Sequence, residues 1–331
     1  MRESSLDILE QYNIEVSGIK KIRGAVLCDT DEGVFLLKEV RFSEYKMQVV
    51  NSLQECLIRK GYDTIDKILK NKEGQMLTKT EDGSSYILKK WFLGKECDVK
   101  KEKEILQAVR EMAKLHLFMR MPQEKEQWDK FHGNDLRDVY LRRNKEFRKI
   151  RTFIRKKAVK GMFEDEVLKN FEKIYAAAEE TAGYLERSHY HELYEKSIEQ
   201  GRIIHGEYNY HNVILLQRGS AVTNFEHCCL NIQAEDLYYF MRKVMEKYKW
   251  NIRLGKEMIN SYRQICPLEK EEMDYIAMRF LYPEKIWKIV NMYYHSNKAW
   301  IPSKNIEKLK ISVDQMAEKR RFVKAIFSSH L

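Results

Sequence analysis

Apolar residues follow two regimes along the chain. Between Val16 and Trp91 they fall in short runs bounded by turns, and from Lys100 they recur at helical spacing. Residues 25–30 and 34–39 flank Asp31-Glu32-Gly33, a glycine-containing turn that joins a hairpin, and Lys38 lies at the end of the second run. Tyr45, Val49, Leu53 and Leu57, four apart, predict a helix ending near Lys60-Gly61, where glycine takes the left-handed cap conformation. Residues 75–80 and 85–91 predict a second hairpin about Glu81-Asp82-Gly83, followed by Trp91-Phe92-Leu93-Gly94 as a connecting hinge.

In the second regime Ile105, Val109, Met112, Ala113 and Leu115 predict a helix with one buried face. His116 closes it and reads as a packed, hydrogen-bonding histidine rather than a ligand. Two long charged helices are expected over about 135–157 and 163–189, before a break at Gly201. Arg202-Ile203-Ile204-His205-Gly206 reads as a strand entering a loop. Residues 213–216 and 221–226 form a hairpin around Gln217-Arg218-Gly219-Ser220, and helical spacing returns from Ala234. The pattern predicts an α+β protein. A small antiparallel-sheet lobe with one helix spans 1–94, and a large, mainly helical lobe spans 95–331 with a helical insertion at about 135–190.

Composition narrows this reading. A chain of 331 residues, 44% hydrophobic and 33% charged, can bury two lobes, and 14 Gly with 4 Pro are too few for a sandwich of many tight turns. No stretch approaches the roughly 18 apolar residues of a membrane span, and the first sixteen residues lack a signal-peptide core, so a soluble protein made in the cytoplasm is expected. Six cysteines, at 28, 56, 97, 228, 229 and 266, show no Cys-x-x-Cys pair and read as reduced structural thiols.

The net charge of +10 is concentrated: residues 141–160 hold ten Lys or Arg and one acid, Glu146. Val139, Phe147, Ile150 and Ile154 recur at helical spacing, which puts Arg142, Lys145, Arg148, Lys149, Arg151 and Arg155 on the solvent side, with Arg143 beside them. This patch is either a solvated face or a landing site for an anionic partner: a phosphorylated ligand, an acidic protein or a polyanion. No nucleic-acid module accompanies it, so specific nucleic-acid recognition is not expected.

Three features stand in a telling order: Lys38 on the third strand, the loop His205-Gly206-Glu207-Tyr208-Asn209-Tyr210-His211-Asn212, and a hairpin ending in Asn224-Phe225-Glu226. Phosphotransferases need such a set. A lysine neutralises nucleotide phosphates, an aspartate accepts the hydroxyl proton, an asparagine five residues later binds metal, and a second aspartate on the next hairpin binds the metal bridging the phosphates. Here the spacing is kept, but Glu207 stands at the base position and Asn224 at that of the second aspartate. On these residues the sequence resembles the CotS family of spore coat proteins, kinase-like and related to aminoglycoside phosphotransferases and choline kinases. The resemblance runs from about residue 14 to 320. It includes Trp91-Phe92-Leu93-Gly94-Lys95-Glu96-Cys97 leading to Ala113-Lys114-Leu115-His116, and more specifically Tyr282-Pro283-Glu284-Lys285-Ile286-Trp287, Tyr293-Tyr294 and Lys298-Ala299-Trp300-Ile301-Pro302.

The resemblance implies a bilobal protein-kinase-like fold, a place in the endospore coat, and other coat proteins as partners. It matches Lys38 to the phosphate-pairing lysine, Glu207 to the catalytic aspartate, Asn212 to the metal-binding asparagine and Asn224 to the metal-binding aspartate. A neutral amide offers Mg²⁺ one weak oxygen where hard cations favour carboxylates. Glu207 keeps its charge but moves it by one methylene, about 1.5 Å, a misplacement that can cost on the order of a hundredfold in rate. Glu226, two residues beyond Asn224 and on the same side if the segment is extended, is a substitute metal ligand. Where kinases carry three glycines, Ile19-Lys20-Lys21-Ile22-Arg23-Gly24 has one. Trp287, Tyr293, Tyr294 and Trp300 lie near helical spacing and serve either core packing or assembly. The leading expectation is a coat component with an impaired phosphotransferase site, in which ATP and Mg²⁺ binding is weak or absent. The alternatives are an active small-molecule phosphotransferase, with Glu207 as base, Asn212 and Glu226 on the metal and Lys38 on the phosphates, or a regulator that binds nucleotide without turnover.

Overall fold

The computed structural model describes residues 7–22, 24–121, 126–295 and 303–327. Strands β1 (Val16–Ile22), β2 (Ala25–Thr30) and β3 (Gly33–Val40) form successive antiparallel hairpins. Helix α1 (Glu44–Arg59) follows, then β4 (Ile68–Leu69), β5 (Thr78–Lys79) and β6 (Ser85–Lys90), in the sheet order β1-β2-β3-β6-β4 with β5 also on β6. Register matters most at β3 and β6, where Leu36 faces Lys89 and Lys38 faces Ile87. Cross-strand partners share a face and alternate residues repeat it, so Lys38 and Lys89 project from the same side of the sheet. The opposite side, with Phe35, Leu37 and Leu88, packs on Ile8, Leu9 and Tyr12.

Helix α1 starts at Ser43, whose side chain accepts the Lys46 N–H, and buries Met47, Val50, Leu53 and Leu57. It ends as expected, with Gly61 at φ +88°. Strand β7 (Lys95–Glu96) leads to the helical part: α2 (Glu102–Phe118), α3 (Leu136–Lys156), α4 (Met162–Arg187), α5 (Tyr190–Glu199), α6 (Ala234–Met245), α7 (Ile252–Arg263), α8 (Lys270–Leu281), α9 (Glu284–Tyr294) and α10 (Ser303–Phe327). Between α5 and α6 lie β8 (Ile203–Ile204), β9 (Val213–Leu215), β10 (Ser220–Val222) and β11 (Cys229–Leu230), pairing as β10-β9-β7 and β11-β8. One hydrophobic core runs from α1 through α2 to α10. No helix among the described residues is long and apolar enough to cross a membrane. All six cysteines are free thiols; Cys228 is buried and Cys229 half-buried.

The strand expected over 75–80 shrinks to two residues for a local reason. The Met76 and Leu77 N–H groups donate to the Glu44 carboxylate at 2.8 and 3.0 Å instead of to a neighbouring strand. The second long helix stops at Arg187, and a separate helix, α5, follows, fixed by the Tyr190 hydroxyl accepting the Leu136 N–H at 2.7 Å. His116 is fully buried between the Tyr262 hydroxyl at 2.7 Å and Asp236 Oδ2 at 3.1 Å, a packed histidine as expected.

Candidate functional site

The site forms where the lysine face of the sheet meets the loops after β8 and β10. Lys38, partly exposed, donates to Asn224 Oδ1 at 3.0 Å and reaches Glu226 Oε1 at 3.3 Å. Lys89, 1% exposed, donates to Asp66 Oδ2 at 2.7 Å, Glu226 Oε1 at 2.7 Å and Asn224 Oδ1 at 2.8 Å. An ammonium has three donors, and all three find oxygen. Asp66 Oδ2 also accepts the Asn224 backbone N–H at 2.7 Å. The chain bends at Asn224, which sits at φ +70°, and continues as a 3₁₀ turn over Phe225–His227. Asn224 and Glu226 therefore meet the same lysines through this bend, not by alternation along an extended segment, which corrects the expected geometry.

The loop after β8 is held from behind. Asp236, at the start of α6, accepts the His205 N–H at 2.6 Å and the Gly206 N–H at 3.0 Å. His205 is wholly buried, and burial keeps its imidazole below the usual histidine range, so the ring is neutral. Its Nε2 lies 2.9 Å from the Thr223 carbonyl, which only accepts, so Nε2 carries the proton and Nδ1 accepts the Glu207 N–H at 3.2 Å. Gly206, at φ +80°, has no room for a side chain: a Cβ there would lie 2.4 Å from the His227 carbonyl oxygen. These contacts present the Glu207 carboxylate outward, 47% exposed, with His227 Nε2 3.7 Å away.

Asn212 faces Asn224. Its Nδ2 donates to the Glu207 carbonyl at 2.9 Å, and its Oδ1 accepts from Asn224 Nδ2 at 2.8 Å. This orientation is forced: Asn224 must turn its oxygen to the two ammoniums, which leaves its NH₂ for Asn212. Both amide oxygens at the expected metal position are thereby engaged within the protein. Burial raises the Asp66 carboxyl to about 6, with Lys89 opposing and Glu226 adding to the rise. Burial also works against the Glu226 carboxylate, but Lys89 and Lys38 outweigh it and hold the group at about 2.

Mg²⁺ does not fit this arrangement. It demands anionic oxygens and retained waters, whereas Asn212 and Asn224 offer only amide oxygens already bonded, and Glu226 Oε1 is shared between two ammoniums. Among the described residues, no group of three or more His, Cys, Asp or Glu could hold a metal ion. Of the segment 19–24, residues 19–22 belong to strand β1, paired with β2, and Gly24 stands at φ +72° just before β2; Arg23 lies outside the described residues.

The basic helix divides. Arg143 turns inward, its guanidinium 4.0 Å over the Trp287 ring and 3.7 Å from Glu284, and Arg151 pairs with Glu172 and lies over Phe171. Arg142, Lys145, Arg148, Lys149 and Arg155 stay exposed, with Lys156, and make no ion pair among the described residues. Trp287 donates to Glu146 at 2.9 Å and Tyr293 donates to Glu164 at 2.6 Å, both packed contacts, while Tyr294 is exposed. Residues 298–302, Trp300 among them, lie outside the described residues.

Sequence reasoning reached Lys38, Glu207, Asn212, Asn224 and Glu226 but missed Asp66, Lys89 and Asp236. Lys89 carried a readable signal, since Ile87 and Leu88 precede it in a strand whose alternation puts Lys89 on the side of Ile87, toward the core.

The fold has known counterparts. An aminoglycoside phosphotransferase from Alicyclobacillus acidocaldarius superposes with a TM-score of 0.86 at 14% identity, covering 98% of this chain and 95% of that one. Spectinomycin phosphotransferase APH(9)-Ia, in complex with ADP and spectinomycin, gives a TM-score of 0.68 at 11% identity over 97% of this chain and 98% of that one. Choline kinase LicA from Streptococcus pneumoniae gives 0.54 at 12% identity over 96% and 98%. At such identities the likeness shows the fold, which is kinase-like. No curated protein sequence matches this chain. The family model described as "Spore coat putative kinase YutH" matches residues 5–326, and the chain belongs to that CotS-like spore coat family.

Proposed function

We propose that this chain is a structural or assembly component of the spore coat whose kinase-like cleft does not carry out metal-dependent phosphoryl transfer. One observation carries the reading: the residue at the metal-binding aspartate position is Asn224, with its carbonyl oxygen on Lys38 and Lys89 and its amide on Asn212. The carboxylates beside it, Asp66 and Glu226, are taken up by Lys89 and Lys38, and without an anionic ligand left for the ion that spreads charge over a transferring phosphoryl group, that step loses its main stabilisation. Family membership supports the coat location.

The surface that fits an assembly role is the exposed side of α3. Lys145, Lys149, Thr152 and Lys156 lie four, three and four residues apart on one stripe, beside a groove of about 570 Å³ that Phe153 and Tyr294 also line. Unpaired cations next to exposed aromatic rings suit an acidic protein segment better than a bare polyanion.

The second reading, a working small-molecule phosphotransferase using ATP, draws on the exposed Glu207 carboxylate and the partly exposed Lys38 ammonium. Phosphate release from ATP with Mg²⁺, measured on the wild type and on Glu207→Gln, separates the two. We expect background release from both proteins. Release by the wild type that Glu207→Gln abolishes would establish the enzyme.

A further inference from the structure

Three oxygens from two segments, the loop before β4 and the bend after β10, converge on one point beneath the cleft: Asp66 Oδ2, Asn224 Oδ1 and Glu226 Oε1, each 2.7 or 2.8 Å from Lys89 Nζ. Two carboxylates and an amide carbonyl are the donor set of a hard divalent cation. The second oxygens of both carboxylates, Asp66 Oδ1 and Glu226 Oε2, are buried without a hydrogen-bond partner. A group so rich in acceptors is built around positive charge, and the position is filled by an ammonium on a tether.

We propose that the Lys89 ammonium is the resident cation of this cleft, held by Asp66, Asn224 and Glu226 in place of a divalent ion, so that an anionic ligand of the nucleoside-phosphate class meets Lys38 without metal. The ligand half of this statement rests on the reading above; the cation half does not. Two ammoniums, Lys38 and Lys89, balance two carboxylates, Asp66 and Glu226. A divalent ion added to this set would leave two buried positive charges uncompensated, and such charges are strongly disfavoured. Removing Lys89 alone reverses the balance, leaving two carboxylates against one lysine around a vacated oxygen cage.

The test is a Tb³⁺ and Ca²⁺ titration, without nucleotide, of the full chain as wild type and as Lys89→Met, read by lanthanide luminescence and thermal denaturation. We expect saturable Tb³⁺ binding, competed by Ca²⁺, in Lys89→Met and none at this site in the wild type. Binding by both proteins alike, or by neither when both are folded, overturns the proposal. If Lys89→Met is unfolded in chelator, refolding on Ca²⁺ supports it. If that variant stays unfolded with Ca²⁺, calorimetric titration of wild type with ATP decides. Affinity equal in EDTA and in Mg²⁺ supports the proposal, whereas binding about tenfold or more tighter with Mg²⁺, or no binding in EDTA, overturns it. Turnover by the wild type would sink the proposed function while leaving the cation titration to be judged by itself.

Discussion

At Asp66, burial and ion pairing pull in opposite directions, and burial prevails, lifting the carboxyl from 3.8 to about 6. Between about pH 4 and 6 the folded chain therefore holds a proton that the unfolded chain has released, and stability falls as pH rises through that window. Glu226 runs the other way: lowered from 4.5 to about 2, it contributes stability above the unfolded value that is lost as pH falls toward 2. Asp66→Asn removes the first dependence and keeps an acceptor for the Asn224 N–H. In urea denaturation, the stability of wild type relative to Asp66→Asn should drop by roughly 3 kcal/mol between about pH 4 and pH 7. A flat difference would mean that Asp66 does not titrate in this range. Glu207 and Asn212 could be picked out because the loop that carries them keeps a fixed spacing, and Lys38 because it ends the apolar run of a strand in the first hairpins. Asp66 was not, since a lone aspartate two residues before a two-residue strand has no pattern around it. Its role exists only once Lys89 arrives from β6, across a separation that spacing does not encode.

At the scale of elements, periodicity served where elements were long. The β1–β2–β3 hairpins, α1, α3 and α4 were readable from alternation or from the four-residue recurrence of apolar positions. Strands of two residues, such as β4 and β7, have no period to detect, and the α4–α5 boundary at Ser188 and His189 carries neither Gly nor Pro. The division within α3 was likewise invisible. Arg143 and Arg151 face partners on α9 and α4, and only packing shows which cations those helices absorb. The remaining face supplies a prediction. Lys145→Glu/Lys149→Glu/Lys156→Glu should lose the salt-sensitive retention on poly-L-glutamate that wild type shows, with an unchanged far-ultraviolet circular dichroism spectrum. Equal retention of both proteins would leave α3 as a merely solvated face.

For the molecule as a whole, the class was legible because strands gave way to helices partway along and the chemistry-bearing loops followed in a set order. What could not be read was how the sheet is tied to the helical part. Lys46 of α1, set over the Trp128 and Phe131 rings, donates to the Cys228 carbonyl, while Lys38 and Lys89 reach Glu226. Ties of this kind couple the melting of both parts, so calorimetry should record one transition, and Glu226→Gln should lower it or split it in two.

The depth of the Lys89 cluster has a further consequence, in ionic strength. Screening by dissolved salt acts on charges in contact with solvent and leaves buried pairs nearly untouched. A dehydrating, ion-rich surrounding would thus strip the α3 face of its attraction while the ammonium under the cleft kept its three oxygens. The acidic partner proposed for α3 is then released while the buried cluster keeps its shape.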